Sequence, residues 1–221
     1  PQKSTPTVWL SWYYYADSFT PDDATENLDY LEEHRLPIDV ILIDECWDKR
    51  WGDWYPNEDW DSITAISARI RRLGYRAGIW TCPFLCESRS RVRLRHPEWL
   101  LRQRNGEPVR FNMNNMLNYV LDPTHPEVKS FIYELYTQLT WEWGFTYHKL
   151  DFTRAVGGDP QILFHDRSKT RAEAYREAME LIRNAIGHES YLNVCGGFYT
   201  TLIGIVDAQR TGSDVKAEWP E

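Results

Sequence analysis

The hydrophobic positions of the chain form short continuous runs that alternate with longer segments of helical spacing. The short runs predict six β-strands, at residues 8–12, 40–43, 77–80, 147–152, 191–194 and 206–209. A run without polar residues, such as 40–43, is typical of a strand that is buried on both faces of a sheet.

The segments between these strands carry apolar residues three and four positions apart, which is the spacing of an amphipathic helix. A first helix is predicted after Thr20 and Pro21, because threonine is a strong N-cap and proline is favoured in the first helical turn. Three more helices are predicted at 63–73, from 121–124 to 143, and at 169–186, each followed by a glycine. Strands that alternate with helices predict a parallel sheet covered by helices.

One connection is much longer than the others and runs from about Thr81 to Thr124. Loops of this length that lack structure of their own are uncommon and usually functional. We therefore expect short elements of secondary structure within this connection.

Polar and aromatic residues cluster directly after the predicted strands. They are Trp12, Asp44, Glu45, Trp80, Lys149, Asp151, Cys195, Arg210 and Asp214. In a (β/α)8 barrel such positions share the catalytic face, whereas a doubly wound sheet would concentrate them at one switch point. Six contributing strand ends favour the barrel. The predicted fold is an α/β, TIM-type barrel with about six of its eight units, in a single domain over residues 1–221.

Two carboxylates among these residues are candidates for catalytic groups. Lys149 and Asp151 stand two residues apart on one strand, so their side chains share a face, where the lysine is expected to hold the carboxylate ionised. Asp214 lies on a Gly-Ser turn near Trp219, where partial desolvation would raise its pKa. Two carboxyl groups about 5 to 5.5 Å apart suit a retaining glycosidase. Ordinary strand-end acids that cap the next helix are the alternative interpretation.

Composition narrows the choice of function. The chain has 11 tryptophans and 13 tyrosines, and aromatic rings pack well on the C–H faces of sugars, although most of them must serve the core or the surface. The net charge of -8 argues against a nucleic-acid partner, because a surface that tracks phosphates is normally basic. No apolar run approaches the roughly 20 residues of a membrane span.

The cysteines and histidines do not predict a metal or another cofactor. The four cysteines, Cys46, Cys82, Cys86 and Cys195, are too few and too unevenly spaced for a disulfide scaffold. Cys82 and Cys86 could begin a metal site, but no second ligand pair follows them. The scarcity of cysteine and the lack of a visible signal peptide predict a cytoplasmic location.

Eight short motifs follow one another along the chain. They are WLSWYYY at 9–15, IDECW at 43–47, GIWTCPF at 78–84, HPEW at 96–99, LDPTHP at 121–126, KLDF at 149–152, CGG at 195–197 and RTGSD at 210–214. In this order they resemble the catalytic barrel of glycoside hydrolase family 36, the α-galactosidases of melibiase type. The resemblance covers nearly the whole chain.

The resemblance implies an activity and two catalytic residues. Asp151 would be the nucleophile of a double displacement, and Asp214 would be the general acid/base. The implied reaction is the retaining hydrolysis of terminal α-linked galactose from α-galactoside oligosaccharides, without a metal or another cofactor.

The resemblance also implies a sugar pocket. Its residues are Asp44, Glu45, Trp80, Lys149, Cys195, Gly196 and Arg210. The acidic pair 44–45 matches the one that bonds O4 and O6, with the lysine beside it, the tryptophan as a wall and the last three residues near the 2-substituent. An axial O4 distinguishes galactose from glucose, and the wrong epimer would leave buried acceptors unpaired.

The chain departs from the family in its pocket. The family usually has two aspartates where this chain has Asp44 and Glu45, and the longer side chain reaches about one C–C bond further into the pocket. A sugar with an altered O6, or a different α-linked sugar, therefore remains an alternative substrate. The family often carries a sugar-contacting arginine before its Leu-Asp motif. The segment here is NNMLN at 114–118, and no residue is assigned that role.

The chain also differs from the family in length. The β-sandwich domains that flank the family's barrel are not seen, and neither are the last two barrel units. An open six-stranded barrel exposes two sheet edges. We expect either a fragment of a longer protein or a second chain, such as another copy in a homo-oligomer, that completes the barrel. The isolated chain is then expected to be weakly active or inactive towards p-nitrophenyl α-galactoside.

Alternative functions follow from the same residues. An α-N-acetylgalactosaminidase, or a galactosyl-transferring relative similar to raffinose synthase, would use the same catalytic pair. A sugar-binding fragment that keeps the pocket but is catalytically incompetent is the hypothesis from another class.

Overall fold

A computed structural model of the chain describes residues 3–113 and 116–214. Its strands are β1 Val8–Leu10, β2 Val40–Ile43, β3 Asp48–Arg50, β4 Asp53–Pro56, β5 Arg76–Thr81, β6 Leu85–Glu87, β7 Arg102–Gln103, β8 Arg110–Met113, β9 Met116–Val120, β10 Tyr147–Leu150, β11 Ile162–Leu163, β12 Tyr191–Cys195 and β13 Ala208–Arg210. Its α-helices are α1 Trp12–Tyr15, α2 Pro21–His34, α3 Ile63–Arg72, α4 Arg91–Arg95, α5 Pro126–Thr137, α6 Arg171–Ile186 and α7 Tyr199–Leu202. Short 3-10 turns lie at Ala16–Ser18, Pro97–Trp99 and Thr153–Val156, and a π-helical segment, Gln138–Glu142, continues α5.

Six strands form one parallel sheet in the order β1–β2–β5–β10–β12–β13. At least one helix lies between each strand of this sheet and the next along the chain. The predicted alternation and fold class are therefore confirmed: the sheet is a six-stranded part of a (β/α)8 barrel. Within the described residues, β1 and β13 each pair on one side only.

Strand β2 shows why its apolar run is continuous. Ile41 packs in the large hydrophobic cluster beneath the helices, whereas Leu42 belongs to a smaller cluster on the other face of the sheet. That smaller cluster includes Tyr147 and Tyr191, whose rings are stacked with centroids 5.1 Å apart. Full burial of one such side chain stabilises a fold by roughly 1.5–3 kcal/mol, so both faces of β2 contribute.

Helices α2 and α6 begin with the same capping arrangement. The Thr20 side chain accepts the Asp23 N–H, and the Asp23 carboxylate accepts the Thr20 N–H at 2.9 Å. Thr170 and Glu173 repeat this reciprocal pair, so α6 begins at residue 171 and not at the predicted 169. No helix in the described part of the chain combines the length and the apolar character needed to cross a membrane.

Helix α5 begins later than predicted. Asp122 does not start the helix, because its carboxylate accepts the backbone N–H groups of Thr124 at 2.8 Å and His165 at 2.6 Å. His125 is the N-cap, and Pro126 is the first helical residue. The predicted apolar spacing is otherwise confirmed, because Val128, Ile132 and Leu135 lie on one face of the helix and are buried.

Strands β5 and β12 differ from their predicted bounds by one residue at one or both ends, and β10 ends at Leu150, two residues earlier than predicted. Strands β1 and β13 also differ. β1 ends at Leu10, because the chain turns at Ser11 and Trp12 begins α1. β13 is Ala208–Arg210 and not 206–209, because the Asp207 carboxylate accepts the N–H of Leu192 at 2.7 Å before the strand begins.

The long connection between β5 and α5 contains strands of its own, as expected. Strands β6, β9 and β8 form an antiparallel sheet, and β7 pairs with β11. Earlier in the chain, the Trp- and Asp-rich loop after β2 forms the β3–β4 hairpin. Gly52 lies in the turn of this hairpin, next to Cys86 of β6.

We expect Gly52→Ala to destabilise the fold by about 2–5 kcal/mol. Gly52 has a φ of +95°, and the left-handed region costs an L-residue about 1–2 kcal/mol. An added Cβ would also lie 2.6 Å from the Cβ of Cys86, and such overpacking costs about 1–3 kcal/mol. The matched control is Gly74→Ala, with a φ of +91° and open space around it. Urea unfolding measures both variants, and equal losses would contradict the packing argument.

Candidate active site

The carboxyl ends of the parallel strands surround a cavity of about 620 Å³. Eight of the nine residues predicted from the sequence line it: Asp44, Glu45, Trp80, Lys149, Asp151, Gly196, Arg210 and Asp214. They come from five different strand ends, which the parallel order brings to one side of the sheet.

The side chains of β10 point alternately to the two faces of the sheet, as predicted. Tyr147 packs in the cluster on the inner face of the sheet, and Lys149 lines the cavity beyond it. His148 points the other way, where its Nε2 lies 3.0 Å from the Thr140 hydroxyl. Burial lowers the pKa of His148 to about 3, so this ring is neutral and has a structural role.

Lys149 pairs with Asp44, which corrects the expectation that it pairs with Asp151. Its Nζ lies 2.7 Å from Oδ2 of Asp44, and the two side chains are only 7% and 2% exposed. Burial alone would lower the pKa of Lys149, but the attraction of the Asp44 carboxylate outweighs it and raises that pKa. The side chain of Lys149 on β10 therefore reaches across β5 and pairs with the carboxylate at the end of β2.

The carboxylate of Asp151 is held by two other donors. Oδ1 accepts the N–H of Phe152 at 2.8 Å, and Oδ2 lies 3.4 Å from the indole Nε1 of Trp80. The backbone N–H of Asp151 donates to the carbonyl of Thr81 at 2.9 Å, which continues the sheet one residue past β10. These contacts fix the orientation of the carboxylate in the cavity.

Phe152 has a left-handed backbone conformation, with a φ of +53°. Such a conformation costs a non-glycine residue about 1–2 kcal/mol and is frequent at functional sites. It turns the chain so that the Phe152 N–H reaches Asp151 and its ring lies 5.5 Å from the ring of Trp51. Neither glycine nor asparagine stands at this position, so the sequence carries no signal for the turn.

Glu45 extends towards the β3–β4 hairpin. Its Oε1 accepts the indole N–H of Trp51 at 3.0 Å, and its backbone N–H donates to Asp44 Oδ1 at 3.0 Å. Burial raises the pKa of Glu45 to about 7. The longer side chain is thus used in a contact between the strand end and the hairpin.

We expect Glu45→Gln to change the pH dependence of stability. Because the pKa of Glu45 is higher in the folded state than its usual value, folding favours the protonated form. The stability of the wild type should therefore fall, relative to Glu45→Gln, as the pH rises from about 4.5 to about 7, by an amount on the order of 2 kcal/mol. Thermal unfolding across this range measures the difference. The exposed Glu26→Gln is the control, and parallel curves for all three proteins would refute the expectation.

Asp214 is more exposed than predicted. Its side chain is 49% accessible and is hydrogen-bonded to Arg210, so the expected desolvation is not observed. Trp219, which was expected to shield it, lies outside the described residues. Both Asp214 and Arg210 nevertheless line the same cavity as Asp151.

Cys195 is the one predicted residue that does not line the cavity. It is buried at the end of β12, and burial raises the pKa of its thiol to about 11. Gly196, the next residue, has a φ of +62°, and a Cβ there would lie 2.6 Å from the guanidinium of Arg154. The glycine therefore makes room for an arginine beside Asp151.

Several residues that line the cavity were not assigned to it from the sequence. They are Trp51, Met113, Phe152, Arg154, Gly197, Tyr199 and residues 211–213, whereas Trp12 was among the strand-end residues predicted to share the catalytic face. Phe152, Gly197 and residues 211–213 stand within the quoted motifs, which was the available signal. Trp51 and Met113 come from the hairpin and from β8, which only the folded chain brings to the strand ends. Asn114 and Asn115, where no arginine was found, lie outside the described residues.

One group of side chains in the described chain has spacing suited to a metal ion. His96, Glu98 and Glu127 offer ligand atoms within 4.8 Å of one another. Nδ1 of His96 lies 3.2 Å from Oε1 of Glu98, and Glu127 accepts the indole N–H of Trp99 at 2.7 Å. None of these residues lines the active-site cavity, so the group has no direct part in its chemistry.

A family model described as Melibiase matches residues 3–186. The solved α-galactosidase TtGalA from Thermus thermophilus, in complex with stachyose, has a TM-score of 0.87 and 32% identity, over 100% of this chain and 47% of its own. AgaA, a GH36 α-galactosidase from Geobacillus stearothermophilus, shares the fold, with a TM-score of 0.75 and 21% identity over 94% of this chain and 30% of its own.

Among curated proteins, the bifunctional α-galactosidase/sucrose kinase AgaSK of Mediterraneibacter gnavus is 26% identical over 160 residues, which is 68% of this chain and 16% of that protein. The chain thus spans less than half the length of each of these proteins. Because the family model covers most of its residues, the chain belongs to the melibiase family, whose GH36 barrel its motifs resemble.

Proposed function

We propose that the chain is the catalytic barrel region of a retaining α-galactosidase that removes terminal α-linked galactose from oligosaccharides. The observation that carries the proposal is the single cavity that contains the Asp44–Lys149 pair, Trp80 and Asp151. The solved relative TtGalA binds stachyose, which supports an oligosaccharide substrate.

Recognition of galactose follows from the buried ion pair. Asp44 offers an acceptor and Lys149 offers donors at the floor of the cavity, and together they suit the O4 and O6 hydroxyls. A glucoside, whose O4 is equatorial, would leave these buried groups without their partner, which is costly. Trp80 is only 1% exposed and contributes to the site through its indole N–H, which faces the Asp151 carboxylate.

The reaction proceeds in two displacements. In the first, the Asp151 carboxylate attacks the anomeric carbon while the bond to the leaving oxygen breaks and Asp214 protonates that oxygen. In the second, Asp214 takes a proton from water, the water oxygen attacks the same carbon, and the ester to Asp151 breaks. The exposure of Asp214 supports this role, because the residue must exchange leaving group for water between the two steps.

The oriented carboxylate of Asp151 supports its role as the nucleophile. Its two oxygens are held by Phe152 and Trp80, so little reorientation is needed for the attack. Arg210 and Gly196 are proposed to lie near the 2-substituent. An N-acetylgalactosamine substrate is an outcome that the substrate test distinguishes, and galactosyl transfer would yield a galactosylated sugar in place of free galactose.

The test compares p-nitrophenyl α-glycosides of galactose, glucose and N-acetylgalactosamine at high protein concentration. We expect the galactoside to react about 100-fold faster or more, because the wrong epimer leaves buried polar groups unpaired. NMR of raffinose hydrolysis should show α-galactose as the first product. A first product of β configuration, or equal rates on galactoside and glucoside, would refute the proposal. Light scattering on the same samples measures whether the chain associates with a second copy.

A further inference from the structure

A second cavity of about 700 Å³ is lined by residues 52–55 of the β3–β4 hairpin, by α4, by the turn Pro97–Trp99 and by α5 with its π-helical end. We call it the outer cavity. Trp51, one residue earlier in the hairpin, lines the active-site cavity instead, and the two cavities share no lining residue. The described chain therefore holds two separate cavities of similar size.

Aromatic side chains form much of the wall of the outer cavity. Tyr55 on β4 and Tyr133 on α5 are 37% and 45% exposed, and between these elements in the chain lies Trp99, which is only 8% exposed and is stacked on His96. Three elements that are distant in the chain thus bring aromatic rings to one place. Rings that stay open to solvent offer a surface for the C–H face of a sugar, at little cost in side-chain entropy.

Several charged groups of the outer cavity are available. Within the described residues, the side chains of Arg95, Glu134 and Glu142 form no hydrogen bond or ion pair, and Arg91 only lies over the ring of Tyr55. Asp53 is occupied, because its carboxylate accepts two backbone N–H groups at the start of α4. Two arginines thus face three carboxylates, so the wall carries only a small excess of negative charge. Its unoccupied donors and acceptors suit the hydroxyls of a neutral ligand.

We propose that the outer cavity is a second, non-catalytic binding site for a neutral oligosaccharide. The sugar stacks on Tyr55 and Tyr133 and is held by hydrogen bonds to Arg95 and Glu134. The volume lies within the range of about 300–1,000 Å³ that is usual for ligand sites. The proposal is independent of the proposed reaction, because none of these residues belongs to the catalytic site.

The test uses the 221-residue chain labelled with ¹⁵N at tryptophan, in which each indole N–H gives its own NMR signal. Trp54 reports on the outer cavity, whereas Trp51 and Trp80 report on the active-site cavity, and single Trp→Phe variants assign the signals. Raffinose, maltotriose and xylotriose are the probes. We expect a saturable shift of the Trp54 signal with at least one of them, which persists when 1-deoxygalactonojirimycin saturates the active site.

The expected effect of Tyr133→Ala is an increase of about tenfold or more in the sugar concentration that half-saturates the Trp54 shift. The response of Trp51 should be unchanged. Tyr30→Ala is the matched control, because Tyr30 is 54% exposed on α2 and does not line the outer cavity. The proposal is overturned if Trp54 does not shift with any of the three sugars. It is equally overturned if its shift disappears once the inhibitor occupies the active site.

Discussion

Asp151→Ala should lower the turnover of p-nitrophenyl α-galactoside by about 10⁴-fold or more, because the first displacement has no other nucleophile. The fold should be unaffected, since the side chain lies at the end of β10 and its contacts are confined to the site. Asp59→Ala, which removes an exposed carboxylate from a loop, is the control and should keep the wild-type rate.

Added azide separates the roles of the two acids. In Asp151→Ala, azide can attack the anomeric carbon from the face that the carboxylate vacated, and it should yield the β-galactosyl azide. In Asp214→Ala, the ester to Asp151 still forms from an activated substrate, and azide should then yield the α-galactosyl azide. The opposite pair of products would exchange the two assignments, and no rescue in either variant would contradict both.

Covalent trapping provides a second measurement that does not need fast turnover. A mechanism-based galactosyl fluoride should add one sugar to the wild-type chain and none to Asp151→Ala, as read by the intact mass. A wild-type chain that binds galactose but never acquires the label would favour the sugar-binding fragment over the enzyme.

Lys149→Met should destabilise the fold by about 3–5 kcal/mol, because it leaves the carboxylate of Asp44 buried without a counter-charge. Combining it with Asp44→Asn should recover a large part of this loss, since the second change removes the unpaired charge. Lys169→Met is the control. That lysine pairs with Glu177 at the surface, where an ion pair contributes at most about 1 kcal/mol.

Urea unfolding of the wild type, Lys149→Met, Asp44→Asn, the double variant and Lys169→Met measures these losses. In Lys149→Met, burial should raise the pKa of Asp44 without the opposing attraction of the lysine, so the stability of this variant should fall as the pH rises above the usual carboxylate range. Losses of the single variants that simply add in the double variant would show that the two side chains do not interact.

The six parallel strands and four main helices were predictable because each depends on neighbours within a few residues. The apolar run 40–43 and the capping threonine at 20 are local signals, and the fold uses them as the sequence suggested. The meeting of the strand-end residues in one cavity was also predictable, because the carboxyl ends of parallel strands lie at the same edge of the sheet.

The partner of Lys149 was not predictable by the same means. The lysine and Asp44 are 105 residues apart, and the choice between Asp44 and Asp151 depends on the spacing of strands across the sheet. The same holds for Trp51, which reaches Glu45 only because the hairpin folds over the end of β2. The turn at Phe152 is a strained conformation that the surrounding contacts impose, against the preference of the residue.

The strands of the main sheet lie side by side in the order in which they occur in the chain. A ribosome synthesises the chain from its N-terminus, and each new strand can add to the edge that the previous strand left free. Once β10 and the residue after it have emerged, Asp44, Trp80, Lys149 and Asp151 are all present, while Asp214 is still to be made. In a nascent chain, the residues that we propose to bind the sugar and to attack it therefore precede the one that we propose as the proton donor.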